Sequence, residues 1–136
     1  FPVLFLTRVL VQKSRITFLK KSAKGEVAVW KSKIDRLIEE KIYLDQELNL
    51  QKMANELETN SSILSKAIND GYGKNFNDFI NAHRVAAVQQ SLKNGAHKEH
   101  TLAGVANDCG FKSKATFYRA FKKHTDMSPS EYLKRL

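Results

Sequence analysis

From residue 26 onward, apolar residues recur at helical spacing almost without interruption. Trp30, Ile34, Leu37 and Ile38 share one face, with Lys31, Lys33, Asp35, Arg36, Glu39 and Glu40 on the others, which predicts an amphipathic lead-in helix over 26–41. Leu50, Met53, Ala54 and Leu57 follow the spacing i, i+3, i+4, i+7, and Leu102, Val105, Ala106 and Cys109 follow it again. Between them Phe76, Phe79, Ile80, His83, Ala87, Val88 and Leu92 make a longer stripe, predicting a helix over 76–93 that closes at Asn94-Gly95. Apart from an ambiguous stretch at Val3–Val11, strand-like alternation is absent, and residues 1–25 read as an unassigned linker.

These stripes belong to an internal repeat. Leu50–Leu57 overlies Leu102–Cys109 at an offset of 52, and after one inserted residue the offset becomes 53. Leu64 then matches Phe117, Lys66 matches Arg119, Ala67 matches Ala120 and Ile68 matches Phe121. Further on, Asp78, Phe79 and Ile80 match Glu131, Tyr132 and Leu133. Helix starts are marked independently. Asn49, Asn60, Asn75, Thr101, Ser113 and Ser128 each precede an apolar run and can accept a hydrogen bond from an unpaired N–H. Ser128-Pro129-Ser130-Glu131 has the form of a capping box with proline at the first helical position. Gly110 supplies the positive φ of a sharp bend, and Ala54 and Ala106 are small where helices must approach. The expected fold is all-α: two helix-turn-helix units (about 49–70 and 101–124), a linker helix over 76–93 and a C-terminal helix over 129–135, in a homeodomain-like tandem.

Charge gives this layout a direction. The chain of 136 residues has a net charge of +9, concentrated at its ends. Residues 1–30 hold six basic residues against one acidic, residues 101–136 seven against three, and the middle balances ten against ten. Such poles attract polyanions. A lone cysteine, Cys109, forms no internal disulfide and fits a reducing compartment. No apolar run reaches the roughly 20 residues of a membrane span. Residue 1 is Phe, so the chain reads as a piece of a longer or processed protein.

A helix-turn-helix carries function because its second helix can enter the major groove of duplex DNA. In the second unit Phe117 and Phe121 are expected to face the core, leaving Lys114, Ala115, Thr116 and Arg119 toward base edges. Lys112, Ser113, Lys122 and Lys123 flank that helix for phosphates. In the first unit Ile63, Leu64 and Ile68 are expected inward and Ser62, Ser65 and Lys66 outward as base readers, with Asn60 at a phosphate. A linker helix of about 27 Å, at roughly 1.5 Å per residue, could hold two recognition helices about one DNA turn apart, roughly 34 Å.

Gly110-Phe111, Phe117, Arg119, the run Phe121-Lys122-Lys123-His124 and Ser128-Pro129-Ser130-Glu131-Tyr132 together resemble the C-terminal signature of AraC/XylS-type transcription regulators. Ala54, Leu64, Phe79-Ile80 and Arg84-Val85 match the first half of that domain, so the resemblance covers about residues 42–136. It implies a bacterial transcription factor that binds double-stranded promoter DNA, recruits RNA polymerase or its sigma subunit as an activator, and works in the cytoplasm without a cofactor or metal. Tyr43-Leu44-Asp45 followed by Leu48-Asn49-Leu50 resembles relatives in which this domain follows a membrane-embedded or sensor region. Residues 1–30 would then be a juxtamembrane remnant, and the parent protein could be membrane-anchored and dimerise through the missing region. Alternative readings are a non-specific architectural nucleic-acid binder and a membrane-proximal signalling adaptor that uses its helices for protein contacts.

Two positions depart from the family pattern. Glu58 stands where the first turn would hold glycine, and Asp126 replaces the glycine expected before Met127-Ser128-Pro129. The first unit is also poor in charge. Signals for an enzyme are absent. His97-x-x-His100 lacks further ligands, and Cys109 sits at a core-facing helical position. Gly71-Tyr72-Gly73-Lys74 reads as a turn ending a recognition helix rather than a phosphate loop. The carboxylates form no acid/base pair.

Overall fold

Six short polar side chains start six of the helices in the computed structural model, which describes residues 25–136. Asn49, Asn60, Asn75, Thr101, Ser113 and Ser128 all have extended backbone and accept a hydrogen bond from the N–H three residues on. A helix over 25–39 (α1) comes first. Leu50–Glu56 (α2) and Ser61–Tyr72 (α3) form the first helix pair, and Phe76–Lys93 (α4) the linker. Leu102–Asp108 (α5) and Lys114–Thr125 (α6) form the second pair, followed by Pro129–Lys134 (α7). Short 3-10 turns at Ile42–Leu44 and Ala96–Lys98 complete the set. Among the described residues there are no strands, and no helix is long and apolar enough to cross a membrane. The ambiguous Val3–Val11 stretch and nearly all of the linker expected over residues 1–25 lie outside the described residues.

The two turns repeat each other atom for atom. Glu58 N–H donates to Asn55 and Thr59 N–H to Ala54; 52 residues later Gly110 N–H donates to Asn107 and Phe111 N–H to Ala106. Glu58 has φ 54° and Gly110 φ 101°, both in the left-handed region. At the far ends of the second helices the roles are exchanged: Gly73 (φ 66°) closes α3, and Asp126 (φ 59°) closes α6. Each unit therefore keeps one glycine at a left-handed position and one acidic residue at the other.

Two cores share α4. Its first half contributes Phe79 and Ile80 to a cluster with Ile34, Leu48, Met53, Ala54, Leu64 and Ile68. Its second half contributes Val85, Val88 and Leu92 to a cluster with Val105, Phe111, Phe117 and Phe121. The single stripe expected on α4 is thus corrected in detail. Val85 is buried, while Phe76, His83 and Ala87 are only partly so. Because α4 packs against α3, α5 and α6, its apolar positions wrap around the helix instead of keeping one face. Ile34 anchors α1 to the first core and is fully buried.

The loop between α1 and α2 ties the units together. Arg84, on α4, donates from Nε to the Tyr43 carbonyl (2.7 Å) and from its terminal nitrogen to that of Asp45 (2.8 Å). Gln46 donates to the Asn107 carbonyl at the end of α5 (3.0 Å). Asp45 also pairs with Lys52 at 2.6 Å. Hydrogen bonds from that ammonium and from the Glu47 N–H hold the Asp45 carboxyl below its ordinary range. Gly110 fits against this loop so closely that a Cβ there would lie 2.2 Å from the Tyr43 carbonyl oxygen and 2.7 Å from Arg84 Nε.

Candidate nucleic-acid interface

Leu64 and Ile68 turn α3 inward, and Phe117 and Phe121 do the same for α6. The outer arc of α3 therefore exposes Ser62, Ser65 and Lys66, all expected as base readers, together with Asn69 and Asp70. The Asn60 side chain is held by the Ile63 N–H as the cap of α3. Ile63 is a correction. It was expected inward, yet it is 44% exposed and lies outside the first core. The repeat carried the signal: at offset 53 its counterpart is Thr116, which belongs to the outward set of the second unit.

On α6, Lys114, Ala115 and Arg119 are exposed, as are Lys122 and Lys123. Thr116 is partly buried, and its hydroxyl accepts from the Ser113 hydroxyl at 2.9 Å, so the cap and this side chain hold one another. Among the described residues Arg119 forms no ion pair. Tyr118, the counterpart of Ser65, was missed. It is half-buried against Phe117, and Lys114 Nζ lies 5.5 Å from its ring centroid.

Three of the expected cations have carboxylate partners. Lys66 pairs with Asp70 (3.2 Å) one helical turn on, Lys112 with Glu47 of the α1–α2 loop (2.9 Å), and Lys123 with Asp78 of α4 (2.7 Å). All three lysines remain well exposed, so water screens these pairs and each is worth at most about 1 kcal/mol. A phosphate can displace or share such a partner. Across the two units the difference in charge is clear: along α3 Lys66 stands beside Asp70, whereas Lys114, Arg119, Lys122 and Lys123 line α6. The α6 surface is the more electropositive.

Among the described residues no group of three or more His, Cys, Asp or Glu is placed to hold a metal ion. Cys109 is buried, and burial pushes its thiol pKa up, which suits a packing role better than a nucleophilic one.

Comparison with known proteins agrees with this architecture. A family model described as a helix-turn-helix domain matches residues 53–135. An uncharacterized HTH-type transcriptional regulator of Staphylococcus aureus is 28% identical over 91 residues, which cover 67% of this chain and 12% of that protein. The TCP pilus virulence regulatory protein of Vibrio cholerae is 35% identical over 78 residues, covering 57% of this chain and 27% of that one. The chain thus spans only a minor part of the length of these relatives. A protein of unknown function from Listeria innocua superposes with a TM-score of 0.67 at 27% identity, over 76% of this chain and 94% of the other. The C-terminal domain of the two-component response regulator yesN from Fusobacterium nucleatum gives 0.64 at 25% identity, over 76% and 96%. With two capped helix pairs on one linker helix and a family match over most of its length, the chain belongs to the AraC-type helix-turn-helix family of DNA-binding transcriptional regulators.

Proposed function

We propose that this chain is a sequence-specific DNA-binding module that reads two adjacent major-groove segments of a promoter, one with α3 and one with α6. The observation that carries the reading is the shared linker: one 18-residue helix contributes to both cores, so both recognition helices belong to one packed body. At about 1.5 Å per residue this linker spans about 27 Å, compatible with helices seated one DNA turn apart. Arg119 is the principal base reader, with a planar fork suited to guanine O6 and N7. Lys114, Ala115 and Thr116 assist it on α6, and Ser62, Ser65 and Lys66 read the other segment. Asn60, Lys112, Ser113, Lys122 and Lys123 set the register on the phosphates. In this reading residues 42–136 form the DNA-binding domain and 26–41 the lead-in helix.

The parent protein carries a sensor region before this domain, through which it dimerises, and it activates transcription by contacting RNA polymerase or its sigma subunit. The test is selection of bound duplexes from a random pool. A bipartite motif is expected. Binding without any motif would make the chain an architectural binder, and no binding would favour protein docking; either result overturns the proposal.

A further inference from the structure

Among the described residues only three large apolar side chains are substantially exposed, and Ile63 is the one that lies on a recognition helix. Its position on that helix is favourable for reading. At about 100° per residue, with Leu64 and Ile68 defining the inward direction, Ile63 lies about 60° from the centre of the outward arc. Ser65 lies about 100° away on the other side. Ile63 also falls in the first turn of α3, one residue after Ser62 and three before Lys66, the part of a recognition helix that reaches deepest into a groove. Trp30 and Val27 of α1 border the groove beside it but leave it 44% exposed.

Its sequence neighbours on the outer surface, Ser62 and Ser65, are short hydroxyls, and the long side chain of Lys66 starts one turn further along the helix, where Asp70 holds its ammonium. An isoleucine offers a groove floor only apolar contact, and the one apolar group that base pairs display in the major groove is the 5-methyl of thymine. We propose that Ile63 is a specificity-determining residue of the first unit and recognises a thymine by packing on its 5-methyl group. The inference rests on the two-segment reading above. Its counterpart Thr116 carries a γ-methyl at the same register of the second unit, but that side chain is partly buried and its hydroxyl is engaged by Ser113. The apolar contact therefore belongs to the first unit, the one with less charge to offer.

The experiment combines one substitution with one missing methyl group. Each thymine in the first segment of the selected duplex is replaced in turn by uracil, which keeps the hydrogen-bonding pattern and removes only the methyl. With the unaltered chain, one such replacement is expected to weaken binding about fourfold, the value of one buried methyl-sized group. With Ile63→Ala, whose melting temperature should match the parent because the side chain is outside the core, the same replacement should have no effect. Ile63→Val should fall between. If no uracil weakens binding, if Ile63→Ala retains the full uracil effect, or if the first segment contains no thymine, the assignment is overturned. Failure of the two-segment reading looks different: selection would then return no first segment at all, which overturns that reading and this inference with it.

Discussion

The two helix-turn-helix units share a backbone and differ in how they are filled. The second is aromatic: Phe111, Phe117, Phe121 and Tyr132 form a chain of ring contacts with centroids 5.2–5.8 Å apart. The first uses Met53, Leu64 and Ile68 and completes its core with Ile34, from outside the helix pair. The second turn has a glycine wedged against the Tyr43 carbonyl, while the first turn accepts an exposed glutamate in the same left-handed region. One backbone therefore serves two ends. The second unit is built tightly and presents a basic helix, and the first relies on α1 and presents small side chains. A repeated turn thus constrains the residue at its bend only as far as its surroundings do.

Changing the residue at the tighter bend should therefore cost most. Gly110→Ala should destabilise the fold by roughly 3 kcal/mol, because it adds both left-handed strain and a clash with loop backbone that cannot retreat without releasing Arg84. Chemical denaturation measures this, and a loss below about 1 kcal/mol would mean that the loop yields.

Next comes binding. Arg119→Ala should cost about 2 kcal/mol on the best duplex and relax preference at one base pair. Lys66→Ala, its counterpart beside Asp70, should cost less. Lys112→Ala should weaken all duplexes alike and lower the slope of log K against log salt by about 0.9. Titrations on selected and scrambled duplexes at several salt concentrations separate these outcomes.

Glu58→Gly should act in the opposite sense to Gly110→Ala, stabilising the first unit by about 1 kcal/mol. Thermal melting reads it. An unchanged or lower melting temperature would show that Glu58 bears no strain there.

The smallest effect concerns acid. Burial between Tyr43 and Phe79, with Lys74 adding repulsion and Asp35 opposing it, holds the His83 pKa below its ordinary 6.5. Between the depressed folded value and 6.5 the unfolded chain binds the proton and the folded chain does not. Stability should therefore fall as pH drops through 6.5. In His83→Gln the dependence of stability on pH between 5 and 7 should be flatter than in the parent.

What was legible in the sequence was local. The six caps, the repeat offset and Gly110 each report a backbone requirement that one or two residues satisfy. The family signature, anchored by Phe117, Phe121 and Ser128-Pro129, identified the fold because those residues fill fixed places. The contacts of the 41–49 loop were not legible. Its bonds join Tyr43 and Asp45 to Arg84, and Gln46 to Asn107, across sequence separations of 39 to 61 residues. Lys41 adopts φ 61° with no glycine to announce it. Val85 is missing from the expected α4 stripe, and Ile63 is expected inward yet exposed, for related reasons. Burial on α4 comes from several sides, and an isoleucine near a helix start matches an apolar stripe whether or not the core reaches it. On the interface, side-chain type indicated which positions face out but not which lysines have carboxylate partners, because Glu47 and Asp78 come from other elements.

If one chain reads two segments with two unequal units, its footprint should be double and uneven. Hydroxyl-radical footprinting of this chain on its selected duplex tests it most directly. Two protected patches about 10 base pairs apart are expected. The patch under α6 should weaken selectively in Arg119→Ala, and the other in Lys66→Ala. A single patch of four or five base pairs, unchanged in position by either substitution, would mean that the two units do not read DNA together.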